Sequence, residues 1–544
     1  MADSKLLRGT MVLTAATLIS KILGFIYIIP FNHLVGSAGI GLYQFGYIPY
    51  TVMLSLATAG VPLAVSKFVS KYQALDDYYT GYRLFRSGLI LMSITGFLAF
   101  LLLFFLAPVM APYISPDATK GIGDYVLDDI IFAIRMVSFA LIIVPLMAII
   151  RGFFQGYQSM GPTSVSQVVE QIVRICFILA AAFLIMNIGT GNLVLAVGFA
   201  TFGAFVGAIG GLGVLIYFWI KRRKGILEQV ESSTVRHEIK LKEMYKELIV
   251  YALPLSFVGL AIPLFQFVDL FTVKAGLSAI GFEEGTAFFG IFTGTVHKIV
   301  LIPMALATAL SITLVPTITK SFTNNDQITL QKQITQTYQI ILFISFPAAV
   351  GMATLGDSIY ISLYGYDNEV LGGAILSSYG PITLLFSLFA VTGAILQGMN
   401  RQKFAVVALI IGLLFKLATN YLFIVLFGEY GAIISSYLGF LVAIGINVWA
   451  IGHYADFHYG FILKRLLLIS IFSGVMAAGV WIVNEGMQLF FPLTSRFNSF
   501  IVMLLGVAVG VIIYFFLAVR SRLAGQILGD RFDLLNYKKQ RHRE

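Results

Sequence analysis

Seven ionisable side chains stand inside stretches of the chain that are otherwise apolar. Lys21, Arg135, Arg174, Lys298 and Lys416 are cations; Glu170 and Asp269 are carboxylates. Each costs roughly 2.5–3.5 kcal/mol at the centre of a bilayer, so each must face water, a partner or a substrate. Lysine meets phosphate as a compact charge and arginine as a bidentate fork. If the seven shared one low-dielectric cavity, its surplus of cations would draw an anion. The chemistry these residue types suggest is therefore capture of a phosphorylated group.

Their neighbours sharpen that reading. Lys21 shares a helical stripe with Thr10, Thr14, Thr17 and Gly24, a face too small and polar for lipid. It suits either a cavity or a buried ion pair with another helix. Arg174 shares a face with Ser166, Gln167, Glu170 and Gln171. Glu170 and Arg174 are spaced i, i+4, so a salt bridge within the helix is natural. Arg174 is then either that partner or a substrate contact. Lys416 lies between Gly412 and Thr419/Asn420, another polar stripe. Lys298 follows His297 and is placed in the cavity, with snorkelling to the outer face as the alternative. Arg135 is six residues from Asp129, where snorkelling and pairing are favoured over function. Asp269 follows Gln266 by three. It is open to two roles: a cation or proton coupling site, or a partner for Lys21 or Lys298.

The elements that position these residues must be membrane helices. Of 544 residues, 58% are hydrophobic and 11% charged, with a mean hydropathy of +0.90. A soluble domain carries about 25% charged residues, and no globular core could hide so much apolar surface. Fourteen apolar runs are long enough to span: 9–33, 42–69, 83–107, 129–152, 166–188, 192–220, 247–272, 285–315, 337–357, 373–398, 404–427, 430–453, 462–484 and 497–520. The pattern excludes a β-barrel, whose strands alternate over about ten residues. The first run is read as a retained helix, since no small-residue cleavage site precedes it. Lys and Arg then orient the chain. With the N-terminus and every second connection on one side, that side holds 28 of the 36, Arg151 at a span end among them, and the other side 3, Lys120, Lys274 and Arg496. The bias predicts both termini inside. It also accounts for the net charge of +10 as a topology signal, not a nucleic-acid surface. Cys176 is the sole cysteine, which excludes an internal disulfide. There is no GxxxxGK[ST], HExxH or GxSxG and no Cys/His cluster, so neither cofactor, metal nor enzyme is expected.

Two halves repeat. GLYQFGYIPYTVMLSLATAGVPLAVSKFVS (41–70) parallels GIFTGTVHKIVLIPMALATALSITLVPTITKSF (290–322), and RGFFQGYQSM (151–160) parallels TGAILQGMNRQ (392–402). Arg174 lies 18 residues after Gly156, and Lys416 lies 18 after Gly398, so the two occupy one place in the two repeats. Six spans per copy makes both copies run the same way, with a substrate path expected between two bundles. The expected domains are an N-lobe (1–221), a cytoplasmic connector (222–246), a C-lobe (247–453), two further helices (454–520) and a basic cytoplasmic tail (521–544). The fold class is an all-α integral membrane protein of fourteen helices in a 6+6+2 plan.

This plan, with the GLYQFGYIPY…VPLAVSKFVSKY and GFFQGYQSMGPTSVSQVVEQIVR regions, resembles the polysaccharide-export branch of the multidrug/oligosaccharidyl-lipid/polysaccharide exporter superfamily. Within it the chain is similar to the MurJ-type lipid II flippases of Gram-positive bacteria. SKILGFIY matches the first-span pattern S-R-V-L-G-F-x-R of Gram-negative members: Lys21 keeps the first cation and Tyr27 replaces the second. Lys298, five residues before Pro303, matches a basic residue of the eighth span. The acidic residue those members carry early in the second span has no counterpart here, nor has the arginine later in that span. The resemblance implies alternating access by two six-helix lobes and transfer of an undecaprenyl-pyrophosphate-linked sugar across the bacterial plasma membrane. It implies a cationic cavity, matched here by Lys21 and Lys298; the intramembrane charges read above add Arg174 and Lys416 to it, with Asp269 and Glu170 in coupling or ion pairing. Spans 13 and 14 would form a groove for the lipid tail. Lipid II and membrane lipids are the expected partners, with sodium or proton coupling and contact with cell-wall synthesis enzymes left open. The alternative substrates are a teichoic-acid, exopolysaccharide or spore-cortex precursor, and the alternative mechanism is a cation-coupled multidrug exporter.

Overall fold

The computed structural model describes residues 2–58, 60–119, 125–233, 235–236, 242–246, 256–365 and 369–528. Among these residues the secondary structure is helical, with no strand. Thirteen helical stretches are long and apolar enough to cross a membrane. They coincide in order with the fourteen expected spans, because the first two expected spans run together in Val12–Thr58. That stretch has 47 residues, about 70 Å at 1.5 Å per residue, against about 30 Å of hydrocarbon. It is broken at Gly36, whose φ of 67° and ψ of 176° are non-helical. One 47-residue rod is too long for one crossing and long enough for two.

Contacts divide the chain into two compact units, Met1–Gly290 and Ile291–Glu544. The first contains α1 (Ala2–Ile26), α2 (Ile28–Thr58), α3 (Val61–Ala74), α4 (Tyr78–Ile114), α5 (Pro116–Thr119), α6 (Leu127–Ser138), α7 (Ala140–Gly156), α8 (Met160–Phe183), α9 (Leu193–Glu231), α10 (Ala261–Ala279) and α11 (Gly285–Gly290). The second opens on a π-helical turn, Ile291–Thr295. It continues through α12 (Val296–Thr323), α13 (Gln327–Thr354), α14 (Gly356–Tyr364), α15 (Glu369–Tyr379), α16 (Ile382–Gly398), α17 (Gln402–Phe427), α18 (Tyr430–Ala455), α19 (Gly460–Gln488), α20 (Arg496–Arg520) and α21 (Leu523–Leu528).

Several boundaries differ from the sequence reading, the ninth span beginning at Gln327 instead of 337 and the third running over Tyr78–Ile114 instead of 83–107. The second span, expected as 42–69, stops at Thr58; a new helix starts beyond Gly60, which adopts φ 71°, with Pro62 in its first turn. Proline has no N–H to give and is tolerated there. The sixth span does not end at 220. α9 runs on to Glu231 and absorbs the start of the connector, anchored by buried Ile226 and Val230 while Lys221, Arg222, Arg223 and Lys224 stay exposed. The seventh span extends to Ala279 rather than 272. Parts of the connector, the start of the seventh span (247–255) and the tail from 529 lie outside the described residues.

The helices bury both small residues and large ones such as Phe31, Phe153 and Tyr360, and still turn many large apolar residues outward. Ile220, Phe105 and Phe516 are 70%, 66% and 65% exposed. Water would not tolerate that surface, and lipid is its natural cover. The closest helix approaches use glycine. A Cβ on Gly207 of α9 would lie 2.7 Å from Arg174 Cβ and 2.8 Å from the Glu170 carbonyl of α8. In the second unit a Cβ on Gly412 of α17 would lie 2.5 Å from the Gly439 carbonyl of α18. Backbones brought this close gain dispersion and hydrogen bonding that larger residues would block. The pairs α8/α9 and α17/α18 are the most extensive helix pairs in their units, and they carry Arg174 and Lys416.

Candidate functional site

In the first unit the ionisable residues gather where α7, α8 and α9 meet. α7 and α8 form a hairpin that turns at Gln158, which takes φ 53°. Arg151 on α7 stands seven residues before that turn and Ser166 on α8 eight after it, so the two face each other. Arg151 donates to Ser166 Oγ from Nη2 at 2.8 Å and from Nε at 3.3 Å. Ser166 donates onward to the Gly211 carbonyl of α9 at 2.9 Å. Glu170 lies one turn along α8 and takes both arginines: Arg151 Nη2 at 2.9 Å on Oε2, and Arg174 Nη2 at 3.0 Å on Oε1. Arg174 keeps its Nε buried with no hydrogen-bond partner. It lies within electrostatic reach of Tyr43, Tyr47 and Tyr50 of α2. Those rings form a stripe, with centroids 5.4 and 5.5 Å apart. Tyr43 and Tyr50 are buried, and Tyr47 is partly open.

The i, i+4 pair of Glu170 and Arg174 was expected; its third member was not. Sequence counting assigns Arg151 to the inner loop as a topology charge, whereas it belongs to this cluster. The readable signal was the turn at Gln158, seven residues after Arg151 and eight before Ser166.

The other residues of the first unit are spread. Lys21 is exposed on α1, which packs along α8. Its stripe meets the glutamine face of α8: Thr17 Oγ1 lies 3.4 Å from Gln167 Oε1, and a Cβ on Gly24 would lie 3.2 Å from Gln171 Nε2. Arg135 is engaged elsewhere. Its Nε donates to the Phe104 carbonyl of α4 at 3.3 Å, and its guanidinium stands 4.7 Å from the Phe104 ring centroid. Asp269 is buried on α10, 2% exposed. Lys274, which sequence counting assigns to an outer connection, is 4% exposed on the same helix, its Nζ 6.0 Å from the Phe45 ring centroid.

The second unit holds a separate group. Lys416 is fully buried, 0% exposed, and its Nζ donates to Ser436 Oγ of α18 at 2.6 Å. Ser435 and Thr419 share a hydrogen bond of 3.0 Å beside it. His297, the residue before Lys298, is buried with Nδ1 3.3 Å from the Tyr379 hydroxyl. Both Lys298 and Lys416 lie within electrostatic reach of His297. The structure thus brings Arg174 together with Glu170, and sets Lys298 and Lys416 each within electrostatic reach of His297. Among the described residues no group of three or more His, Cys, Asp or Glu is arranged to hold a metal ion. These clusters offer cations, hydroxyls and amides, suited to binding an anion with polyhydroxylated neighbours.

Known proteins share this architecture. A family of polysaccharide biosynthesis proteins matches residues 6–322. The lipid II flippase MurJ of Bacillus subtilis (strain 168) is 44% identical over 544 residues, 99% of each chain. Stage V sporulation protein B of the same bacterium is 24% identical over 430 residues, 76% of this chain and 77% of that one. Among solved structures, a lipid II flippase MurJ in an inward closed conformation superposes with a TM-score of 0.61 at 15% identity, over 95% of this chain and 100% of the other. An inward-facing multidrug transporter of the MATE family gives 0.62 at 15% identity, over 81% and 95%. The structural likenesses establish the fold; the sequence match runs from end to end.

Proposed function

The chain belongs to the family of polysaccharide biosynthesis proteins, on the branch of the lipid II flippase MurJ, and from that premise we propose that it carries lipid II from the inner to the outer leaflet of the plasma membrane. It is a multi-pass transporter and not an enzyme. The observation that carries this reading is the end-to-end match to a lipid II flippase. Clusters of buried and half-buried cations on membrane helices suit a pyrophosphate-linked headgroup.

In this reading Lys21, Arg174, Lys298 and Lys416 receive the headgroup during alternating access, and Tyr47 offers an aromatic face to its sugars. The proposed lobes are those of the sequence repeat, with both termini inside. A net-negative substrate moving outward is then assisted by an inside-negative potential, about 2.3 kcal/mol per charge per 100 mV. Asp269 has two candidate roles with opposite consequences. As a coupling site for sodium or a proton, Asp269→Asn removes the dependence of transport on that ion. As an ion-pair member, it lowers stability and leaves the ion dependence intact. Enzymes that polymerise the flipped precursor are the functional partners implied.

The test is depletion in a host lacking related flippases, with lipid II scored by a membrane-impermeant probe added outside. Exposure should vanish on depletion and return with the wild type but not with well-expressed Lys21→Ala. Unchanged exposure without the protein would exclude lipid II as substrate. Rescue by Lys21→Ala would remove that lysine from the mechanism.

A further inference from the structure

Glu170 holds two arginines at once, and it does not hold them alike. Arg151 is fixed by Glu170 and by two bonds to Ser166, which is itself tied to the Gly211 carbonyl. Arg174 has one bond to Glu170, and its buried Nε has no partner. A guanidinium carries five N–H donors. A buried donor left unmade is costly, so Arg174 has unused capacity that an acceptor would satisfy. The charges point the same way. One carboxylate faces two guanidiniums, which leaves one positive charge in excess. If Arg174 turned away with no other cation present, Glu170 would remain as a buried unpaired charge, a strongly unfavourable state. Arg151 removes that obstacle.

We propose that Arg151 is a charge-compensating positioning residue: it keeps Glu170 neutralised so that Arg174 can exchange that carboxylate for a phosphate oxygen of the substrate headgroup. The proposal rests on the transport reading above and assigns a mechanism to one arm of it. The competing account is that Arg151 only ties α7 to α8.

The experiment uses the full chain in lipid nanodiscs, with inorganic pyrophosphate as the probe and its dissociation constant as the readout. Arg174→Gln should abolish binding. Arg151→Gln should weaken it about tenfold or more, because Glu170 then clamps Arg174. Adding Glu170→Gln to Arg151→Gln removes the uncompensated carboxylate and should restore binding to within about threefold of wild type, the non-additivity expected of residues in contact. Arg151→Lys keeps the charge and loses the fork onto Ser166, so it should bind nearly as wild type. A mere tether predicts the reverse: the double variant is no better than Arg151→Gln, and Arg151→Lys fails with it. Either of those results overturns the proposal, as does wild type that binds no pyrophosphate. Melting temperatures without probe separate loss of fold from loss of binding. The outcomes are distinct from failure of the transport reading. If this binding pattern holds while the wild type exposes no lipid II, the exchange stands and the substrate is another pyrophosphate-linked glycan. If lipid II is exposed while the pattern fails, the flippase stands without this device.

Discussion

Arg135 gives its charge to the backbone. Pro108, inside α4, has no N–H to return to the Phe104 carbonyl four residues earlier, and Arg135 supplies the missing donor. Asp129, the acid nearest in sequence, is occupied at the start of its own helix, accepting from the Val126 N–H at 3.0 Å. The second unit uses the same device. Pro347 in α13 frees the Phe343 carbonyl, and the Tyr514 hydroxyl donates to it at 2.9 Å. In lipid such a carbonyl has no water to turn to. Arg135→Ala should therefore cost about 1–3 kcal/mol in thermal unfolding in nanodiscs. The cost should shrink when Pro108→Ala restores the helical bond. Equal cost in both backgrounds would leave the cation–π contact as the whole of the role. The position of Arg135 in a span was legible from sequence, whereas Pro108, one residue past the span expected as 83–107, was not read as lying in a helix. Their meeting was not legible, because it depends on the register of α4 against α6.

Elements set the geometry of the arginine cluster. α8 comes close enough to α9 for Ser166 to reach the Gly211 carbonyl because Gly207 and Gly211 carry no side chains. Gly207→Leu should drive the helices apart, destabilise the protein by about 1–3 kcal/mol, and lower flipping even though no charged residue is changed. Unaltered lipid II exposure with this variant would show that the α8/α9 spacing is not needed. The glycines were visible in the sequence; which helix they meet was not. A second element-scale prediction concerns α13, whose first turn is capped by Asp326 accepting from the Thr329 N–H at 3.0 Å. The Thr329 side chain and N–H hold this carboxyl below its ordinary range. A lowered carboxyl pKa stabilises the folded state above the unfolded value of about 4 and loses that contribution as pH falls through the lower folded value. Hydrogen exchange over 327–330, corrected for intrinsic rates, should be flat from pH 7 to 5 and rise only below about 4. Asp326→Ala should exchange fast at every pH.

At the scale of the whole molecule, the apolar runs and their order were readable because membrane spans announce themselves by length. The break at Gly36 falls in the connection expected between 33 and 42, but the one at Gly60, inside the expected second span, was not readable, since glycine is common in such helices and only some take positive φ. Charge counting missed the surroundings of Arg151 and Lys274 for one reason: it treats any cation near a span end as solvated, and both are held inside their unit. The orientation that counting implies is directly testable. In a Cys176→Ser background, a cysteine at Gly225, in the exposed extension of α9, should react with an impermeant thiol reagent only in inverted vesicles. One at exposed Thr494, ahead of α20, should react only in intact cells. The opposite pattern would reverse the topology and with it the assistance from the membrane potential.

The proline devices also leave a mark on descent. A lineage can lose Pro108 first, since a residue with an N–H restores the helical bond and the Phe104 carbonyl can still accept from Arg135 on its second lone pair. Losing Arg135 first strands the carbonyl. Tyr514 and Pro347 stand in the same relation. Substitution at each pair is therefore ordered in time, and the proline changes before its guardian does.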